Sequence, residues 1–191
     1  MIKSKNDLKR VLKAEKPLYI THSLRGQMVQ RLTCDYKIKV YRFVKYLRHE
    51  EYHHNQSGAF HKLLRIYYWR KRSQLGTRLG IEMWDNTFDE GLLIYHPGNI
   101  VVNGDAKIGK NCKLHGSNCI GNNGKTLACP TIGNNVRLGV GAKVIGDVTI
   151  ADDVIVAAGA VVVHSVLEPG VTVAGIPARK VSPAQPADVH L

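Results

Sequence analysis

Hydrophobic residues recur at every sixth position through most of the second half of the chain. When the sequence is divided into blocks of six from residue 108, an aliphatic residue opens nearly every block: Ile108, Leu114, Ile120, Ile132, Leu138, Val144, Ile150, Val156 and Val162. The second position is usually Gly or Ala, and the fifth is usually small or β-branched. This period is neither the helix repeat nor simple strand alternation, and it is typical of hexapeptide β-helices. The pattern therefore predicts stacked coils whose aliphatic residues line one core.

The first part of the chain has helical spacing instead. Apolar residues recur near a period of 3.6 over residues 3–15, 36–49 and 59–72, with cations between them. The sequence HHNQSG separates the last two stretches and predicts a turn, with Ser57 as the helix N-cap. Two or three helices with cationic outer faces fit this pattern best.

Together the two patterns divide the chain into three parts. We expect a basic α-helical segment over 1–78, a β-helix over 79–181 and a flexible tail over 182–191. The polar stretch 122–130 interrupts the repeat, but the phase is the same on both sides of it. We therefore expect a loop that leaves the coil and returns in step, and loops on rigid scaffolds often carry function.

Charge is distributed unevenly along the chain. Residues 1–80 hold 19 Lys and Arg against 5 Asp and Glu, a net +14, whereas residues 81–191 hold 8 against 10, a net −2. The basic part could face an anionic glycan or the inner face of a membrane, or form only a solvated surface. Because no RNA-binding signature accompanies it, we expect no nucleic-acid partner. The charged N-terminus lacks an apolar signal core, so a cytoplasmic location is expected.

Cysteine and histidine spacing gives little support for a metal site. The four cysteines form no CxxC pair, and we expect thiols and no bound metal. His96 is a stronger candidate for chemistry, because it lies in a run of apolar and small residues. Glu82 precedes it by nearly one coil, and neighbouring coils stack about 4.8 Å apart. A carboxylate there could orient the imidazole; the alternative is a hydrogen-bonded core histidine.

The hexapeptide blocks, the stretch YHPGNIVVNG and the closing GIPARKV together resemble serine acetyltransferases and the related O-acetyltransferases of capsule and exopolysaccharide pathways. The resemblance implies a mainly β protein, a left-handed parallel β-helix preceded by a small helical segment. It also implies a homotrimer or a pair of trimers, with the active site between neighbouring β-helices. Acetyl-CoA would be the acyl donor, and a hydroxyl on a small molecule or a glycan would be the acceptor.

The resemblance also assigns residues to the site. His96 would be the general base, and Glu82, in LGIEMW, would orient it. The residues assigned to acetyl-CoA are Asn122, Asn123, Gly124, Lys125, Gly139, Val140 and Ala158, with Lys143, Arg179 and Lys180 near its phosphates. The residues assigned to the acceptor are Tyr95, His115 and Cys129.

Two departures from the family pattern concern the acceptor. Tyr95 stands where serine acetyltransferases have an acidic residue, and Ala128–Cys129 stand where they have an Arg-His pair. Arginine binds carboxylates in a bidentate manner and alanine cannot. The leading hypothesis is acetyl transfer to serine or a similar hydroxyl acceptor. A sugar acceptor in polysaccharide assembly is the first alternative, and a β-helix that binds or scaffolds without turnover is the second.

Overall fold

The computed structural model describes residues 1–183, in which four helices precede fourteen short strands. The helices are α1 (Lys5–Tyr19), α2 (Leu24–Leu32), α3 (Tyr36–His54) and α4 (Ala59–Leu79). The strands are β1 (Ile81–Glu82), β2 (Leu93–Ile94), β3 (Ile100–Val102), β4 (Lys107–Ile108), β5 (Lys113–Leu114), β6 (Cys119–Gly121), β7 (Thr131–Ile132), β8 (Arg137–Leu138), β9 (Lys143–Ile145), β10 (Thr149–Ile150), β11 (Ile155–Val156), β12 (Val161–Val162), β13 (Val171–Gly175) and β14 (Ala178–Pro183).

The strands form three parallel sheets, which are the three faces of a prism. The first face has the order β1-β3-β6-β9-β12, the second has β4-β7-β10, and the third has β2-β5-β8-β11-β13. β14 pairs antiparallel to β13 and ends the third face. The middle turns contribute one strand to each face, and Phe88 and Val166 add single bridges to the second face at its two ends, so the predicted parallel β-helix is confirmed.

The hexapeptide repeat places one aliphatic ladder inside the prism. Leu114 pairs with Leu138 on the third face, and Ile120 pairs with Val144 on the first. All nine block-opening residues of the repeat are buried. Loop 122–130 leaves the prism between β6 and β7 and returns in phase, as the sequence predicts.

The helical segment differs from the prediction at several points. α2 was not predicted, because its apolar side chains do not face a core: Leu24, Met28 and Leu32 are all exposed. Ser57 is not the N-cap of α4, since Gly58 occupies that position without a side-chain cap. α4 runs to Leu79 and ends where Gly80 adopts a left-handed conformation, with φ of 64°.

Two buried side chains fasten the helices to the first coil. The Arg48 guanidinium donates to Glu15 and Glu51 and to the main-chain oxygens of Phe88 and Asp89. The Tyr19 hydroxyl donates to the Leu92 carbonyl and accepts from the N–H of Ile94, at 2.9 Å each. The helices therefore cover the open edge of the first coil, where strand groups would otherwise lack partners.

The C-terminal end of the described chain is the β13–β14 hairpin. Since β14 reaches Pro183, the first two residues of the predicted tail belong to a strand. Residues 184–191 of that tail lie outside the described residues. Within 1–183, the structure contains no helix of the length and apolar character that crossing a bilayer requires.

Candidate active site

His96 lies at the corner where the chain passes from the third face to the first, directly after β2. Its side chain is exposed in the single chain. The Tyr36 hydroxyl, at the start of α3, lies 3.2 Å from His96 Nδ1, and the two ring centroids are 5.9 Å apart. One coil further along, Gly116 passes so close that a Cβ there would lie 3.4 Å from the Cβ of His96. Tyr36 therefore holds the imidazole at Nδ1, and the side chain of His96 is otherwise accessible to solvent.

The predicted contact between Glu82 and His96 is not formed in the structure. Glu82 belongs to β1, where it pairs with Val101, and its exposed side chain points outward from the first face. The His96 ring makes no hydrogen bond or ion pair to a carboxylate within residues 1–183, and the Tyr36 hydroxyl is its Nδ1 partner. The spacing of the two residues along the chain was compatible with contact, but the pleat of β1 directs the carboxylate elsewhere.

Glu82 instead lines a groove between α4 and the first face. The groove has a volume of 470 Å³, and Trp69 and Trp84 form part of its wall. Both indoles are nearly half exposed, at 46% and 44%. Asn99 also lines the groove, so it begins close to the corner that carries His96.

Tyr95 and His115 lie together beside His96 on the third face. Their rings stack with centroids 4.3 Å apart. Burial lowers the pKa of His115, and the nearby positive charges of Arg137 and Lys113 lower it further. His115 Nε2 is buried and has no hydrogen-bond partner in the described part of the chain. These two predicted acceptor residues are therefore adjacent to the candidate base.

A column of small-residue turns continues along the corner of His96. The Gly141 N–H donates to the Gly116 carbonyl, and the Gly159 N–H donates to the Val140 carbonyl, so consecutive turns stack directly. A Cβ on Gly139 would lie 2.6 Å from the nitrogen of Ala158, which requires glycine at this position. Val140 and Ala158 are exposed on the outer side of these turns. The column is a narrow backbone-lined surface that a long, thin ligand could follow.

The predicted donor residues of the loop lie on a different corner. Asn122, Asn123, Gly124 and Lys125 follow β6, where the chain passes from the first face to the second. The side-chain oxygen of Asn123 accepts from the N–H groups of Lys125 and Thr126 and so shapes the loop. Cys129, at the end of the same loop, is partly buried, and burial raises the pKa of its thiol. One chain therefore does not bring the loop and His96 together.

The three cations that were predicted to bind phosphate differ in the partners that their side chains already have. Lys143 donates to the Gly141 carbonyl and so leans toward the corner of His96. Arg179 is exposed on β14 and donates to the carbonyl of Ala178. Lys180 is paired with Glu168 at 2.7 Å, which neutralises its charge.

Tyr36 is a candidate functional residue that sequence reasoning missed. It follows Asp35, which caps α3, and its neighbours are cations and aromatic residues. This local sequence is that of an ordinary exposed helix N-terminus. Its role depends on how α3 packs across the first coil. No local sequence signal encodes that packing.

Comparison with known proteins relates the chain to acetyltransferases. The family model "Bacterial transferase hexapeptide (six repeats)" matches residues 129–164. A serine acetyltransferase of Helicobacter pylori is 34% identical over 128 residues, covering 65% of this chain and 74% of the relative. One from Synechococcus elongatus is 36% identical over 106 residues, covering 54% of this chain but only 39% of the relative. An Escherichia coli protein named for colanic acid biosynthesis, the acetyltransferase WcaB, is 35% identical over 81 residues, 42% of this chain and 50% of its own length.

Solved structures show the same fold. The serine acetyltransferase of Brucella abortus in complex with coenzyme A superposes with a TM-score of 0.74 at 22% identity, covering 95% of this chain and 70% of that one. The soybean serine acetyltransferase complexed with serine superposes with a TM-score of 0.72 at 22% identity, covering 93% and 70%. At this level of identity the likeness shows the fold, a left-handed β-helix preceded by helices, as the sequence resemblance implied.

Proposed function

The chain belongs to the serine acetyltransferase family, and from that premise we propose that it transfers the acetyl group of acetyl-CoA to a hydroxyl acceptor, with His96 as the general base. The observation that carries this proposal is the exposed imidazole of His96, held at Nδ1 by Tyr36 at the head of the column of small-residue turns. A general base must have one nitrogen free to reach the acceptor hydroxyl. Nε2 of His96 meets that requirement when Nδ1 carries the proton that bonds to Tyr36.

In the proposed reaction, His96 first takes a proton from the acceptor and then gives it to the leaving group. Nε2 of His96 takes the proton of the acceptor hydroxyl while the oxygen attacks the thioester carbonyl. The carbon–sulfur bond of the tetrahedral intermediate breaks, and the imidazolium returns the proton to the departing thiolate of coenzyme A. General-base assistance of this kind contributes roughly 10²- to 10⁴-fold to the rate.

The column of small-residue turns fits the pantetheine arm of acetyl-CoA. Gly139 allows neighbouring turns to approach so closely that backbone groups form the surface beside His96. Backbone N–H groups at such turns can stabilise a developing oxyanion. We assign Gly139, Val140 and Ala158 to the arm, and Lys143 and Arg179 to the phosphates. Lys180 is a weaker candidate because Glu168 already neutralises it.

We further propose that the complete site forms between neighbouring chains of a homotrimer. The loop Asn122–Lys125 and Cys129 lie on one corner of the prism, whereas His96 lies on another. If the loop belongs to the site, it must come from a second chain.

The acceptor is serine or a similar hydroxyl compound, with a sugar as the second candidate. Tyr95 is the observation that favours the second candidate, since its ring, which stacks on His115, supplies no negative charge to pair with the ammonium group of an amino acid. The name of the WcaB relative points in the same direction. Binding without turnover is the third possibility, and the same experiment tests it.

The test is release of thiol from acetyl-CoA in the presence and absence of a panel of acceptors. The panel contains L-serine, L-homoserine and common capsular sugars. We expect acceptor-dependent release that falls about 10²-fold or more in His96→Gln. His164→Gln is the matched control, because His164 is exposed on a distant coil. Full acceptor-dependent activity in His96→Gln would contradict the assigned base, and no release with any acceptor would contradict the enzyme function.

A further inference from the structure

Two cations face outward from the third face without a counter-charge. Lys113 of β5 and Arg137 of β8 are direct partners in the parallel ladder, one coil apart. Neither one forms an ion pair with any carboxylate of residues 1–183. Like charges at directly paired positions repel each other. Burial lowers the pKa of Lys113, and Arg137 lowers it further, which reflects this crowding.

These two cations, which we call the cationic pair, are confined to two coils. Leu93 pairs with Lys113 on one side, and Ile155 pairs with Arg137 on the other, so the ladder is apolar above and below the pair. Because aliphatic positions enclose the cationic pair, the positive charge is confined to this part of the third face and does not extend along it.

The cationic pair is next to the candidate base. Side chains two residues apart on a strand point to the same side, so His115 follows Lys113 on the outer surface, and Tyr95 stacks on it. Gly116, the next residue after His115, passes against His96, since a Cβ on it would lie 3.4 Å from the Cβ of His96, so the chain that carries Lys113 leads directly to the base. Gly139 follows Arg137 by the same two residues, so the column of small-residue turns begins directly after the cationic pair.

We propose that Arg137 and Lys113 bind a carboxylate of the acceptor and thereby present its hydroxyl to His96. This inference rests on the proposed function and names the class of acceptor: a hydroxyl compound that bears a carboxylate, either a hydroxy amino acid or a uronic acid. An anion between the two cations would remove their mutual repulsion and form charge-assisted hydrogen bonds. His115, two residues after Lys113, also has a buried Nε2 without a hydrogen-bond partner within residues 1–183.

The experiment compares matched acceptors that differ only in the carboxylate. D-Glucuronate is paired with D-glucuronamide, and L-serine with L-serinamide, and kcat/KM is measured for each at saturating acetyl-CoA. We expect the acidic member of at least one pair to be preferred by about tenfold or more. Arg137→Gln should reduce that preference to about twofold or less while the KM for acetyl-CoA stays within about twofold. Lys107→Gln, an exposed lysine on the second face, is the control and should leave the preference unchanged.

Binding provides a second readout that does not need turnover. Calorimetric titration of wild-type protein with D-glucuronate or L-serine in the presence of coenzyme A should show binding that Arg137→Gln weakens by about tenfold or more. A raised KM for acetyl-CoA with an unchanged acceptor preference would overturn the inference, because the anion would then be a phosphate of the donor. Loss of the oligomer in Arg137→Gln, or equal use of both members of every pair, would overturn it as well. Failure of every acceptor together with intact carboxylate binding would contradict the proposed function and leave the binding inference standing.

Discussion

The hydroxyl of Tyr36 lies 3.2 Å from Nδ1 of His96, although the two residues are 60 positions apart in the sequence. A phenol at this position can orient the imidazole, and it holds the Nδ1–H tautomer when its oxygen accepts from Nδ1, whereas a carboxylate can only accept. Unlike a carboxylate, it adds no full negative charge to favour the imidazolium. The base is therefore positioned from the helical segment, which makes α3 part of the site.

Replacing Tyr36 by Phe should remove this restraint without changing the fold. We expect kcat to fall about tenfold, in line with the loss of an orienting partner, and the KM for acetyl-CoA to stay within about twofold. Nitrogen NMR of the histidine rings should show a changed ratio of the two His96 tautomers, which a purely structural role would not produce. Tyr67→Phe is the control, since Tyr67 is exposed on α4 away from the corner. An unchanged kcat and an unchanged tautomer would rule out the positioning role.

Replacing Glu82 by Gln tests the orienter expected from the sequence. In the structure this carboxylate is exposed and does not contact His96, so we expect the rate to change by no more than about threefold. His96→Gln, measured in the same assay, should lose about 10²-fold or more. If Glu82→Gln and His96→Gln lose comparable activity, the carboxylate reaches the imidazole during the reaction, and Tyr36 is not its sole partner.

The fold was predictable because the hexapeptide repeat is a local pattern with a global consequence. Each aliphatic block opener occupies the same place in its coil, so Ile120 and Ile132 remain in phase across the loop that separates them. α2 was not predicted, because it is short and none of its residues is buried against a core. Burial is not required for a readable pattern, since Phe60 and Leu63 are exposed on α4, which the spacing did predict.

The site was predictable only in part. The position of His96 on an exposed corner follows from the repeat and its turn residues. Its partner does not, because the approach of Tyr36 depends on tertiary packing of α3. The spacing of Glu82 specified the coil but not the direction of its side chain, which the pairing with Val101 determines. The cationic pair could not be predicted from the sequence, because it depends on the strand register that pairs Lys113 with Arg137.

Arg48 should be essential for stability. It is 1% exposed, and although burial alone would lower its pKa, the carboxylates of Glu15 and Glu51 raise it above the usual range. Arg48→Met leaves both carboxylates buried without a cation, so we expect a loss of about 3–5 kcal/mol in the free energy of unfolding, measured by urea denaturation. Arg42→Met, on the exposed side of the same helix, should change it by less than about 0.5 kcal/mol. Equal effects would show that the buried network does not fasten the helices.

Gly139→Ala should disturb the column of small-residue turns. The added Cβ would lie 2.6 Å from the main-chain nitrogen of Ala158, which is too close for an unshifted coil. We expect a loss of about 1–3 kcal/mol in the free energy of unfolding and a higher KM for acetyl-CoA. Gly121→Ala is the control, because its nearest neighbour is the Cβ of Asn103 at 3.5 Å, an ordinary contact. If Gly139→Ala keeps both the wild-type stability and the wild-type KM, the turns are looser than the structure indicates.

Acid should weaken the packing of α3 against α4 through histidines that the fold keeps neutral. Burial, followed by the proximity of Lys45 and His53, lowers the pKa of His49 from its ordinary 6.5 to about 4, and burial, followed by the proximity of His61, lowers the pKa of His53. Because the unfolded chain takes up these protons at higher pH than the folded one, the stabilisation is complete above about pH 6.5 and declines as the pH falls toward 4, with a slope of at most ~1.4 kcal/mol per pH unit for each histidine. Urea unfolding as a function of pH should therefore show a shallower acid slope for His49→Gln than for the wild type, whereas the exposed His164→Gln should keep the wild-type slope. Identical slopes in all three proteins would mean that His49 takes up its proton equally in the folded and unfolded states. That result would contradict the packing of its ring, which stacks on Tyr68 with the ring centroids 4.7 Å apart.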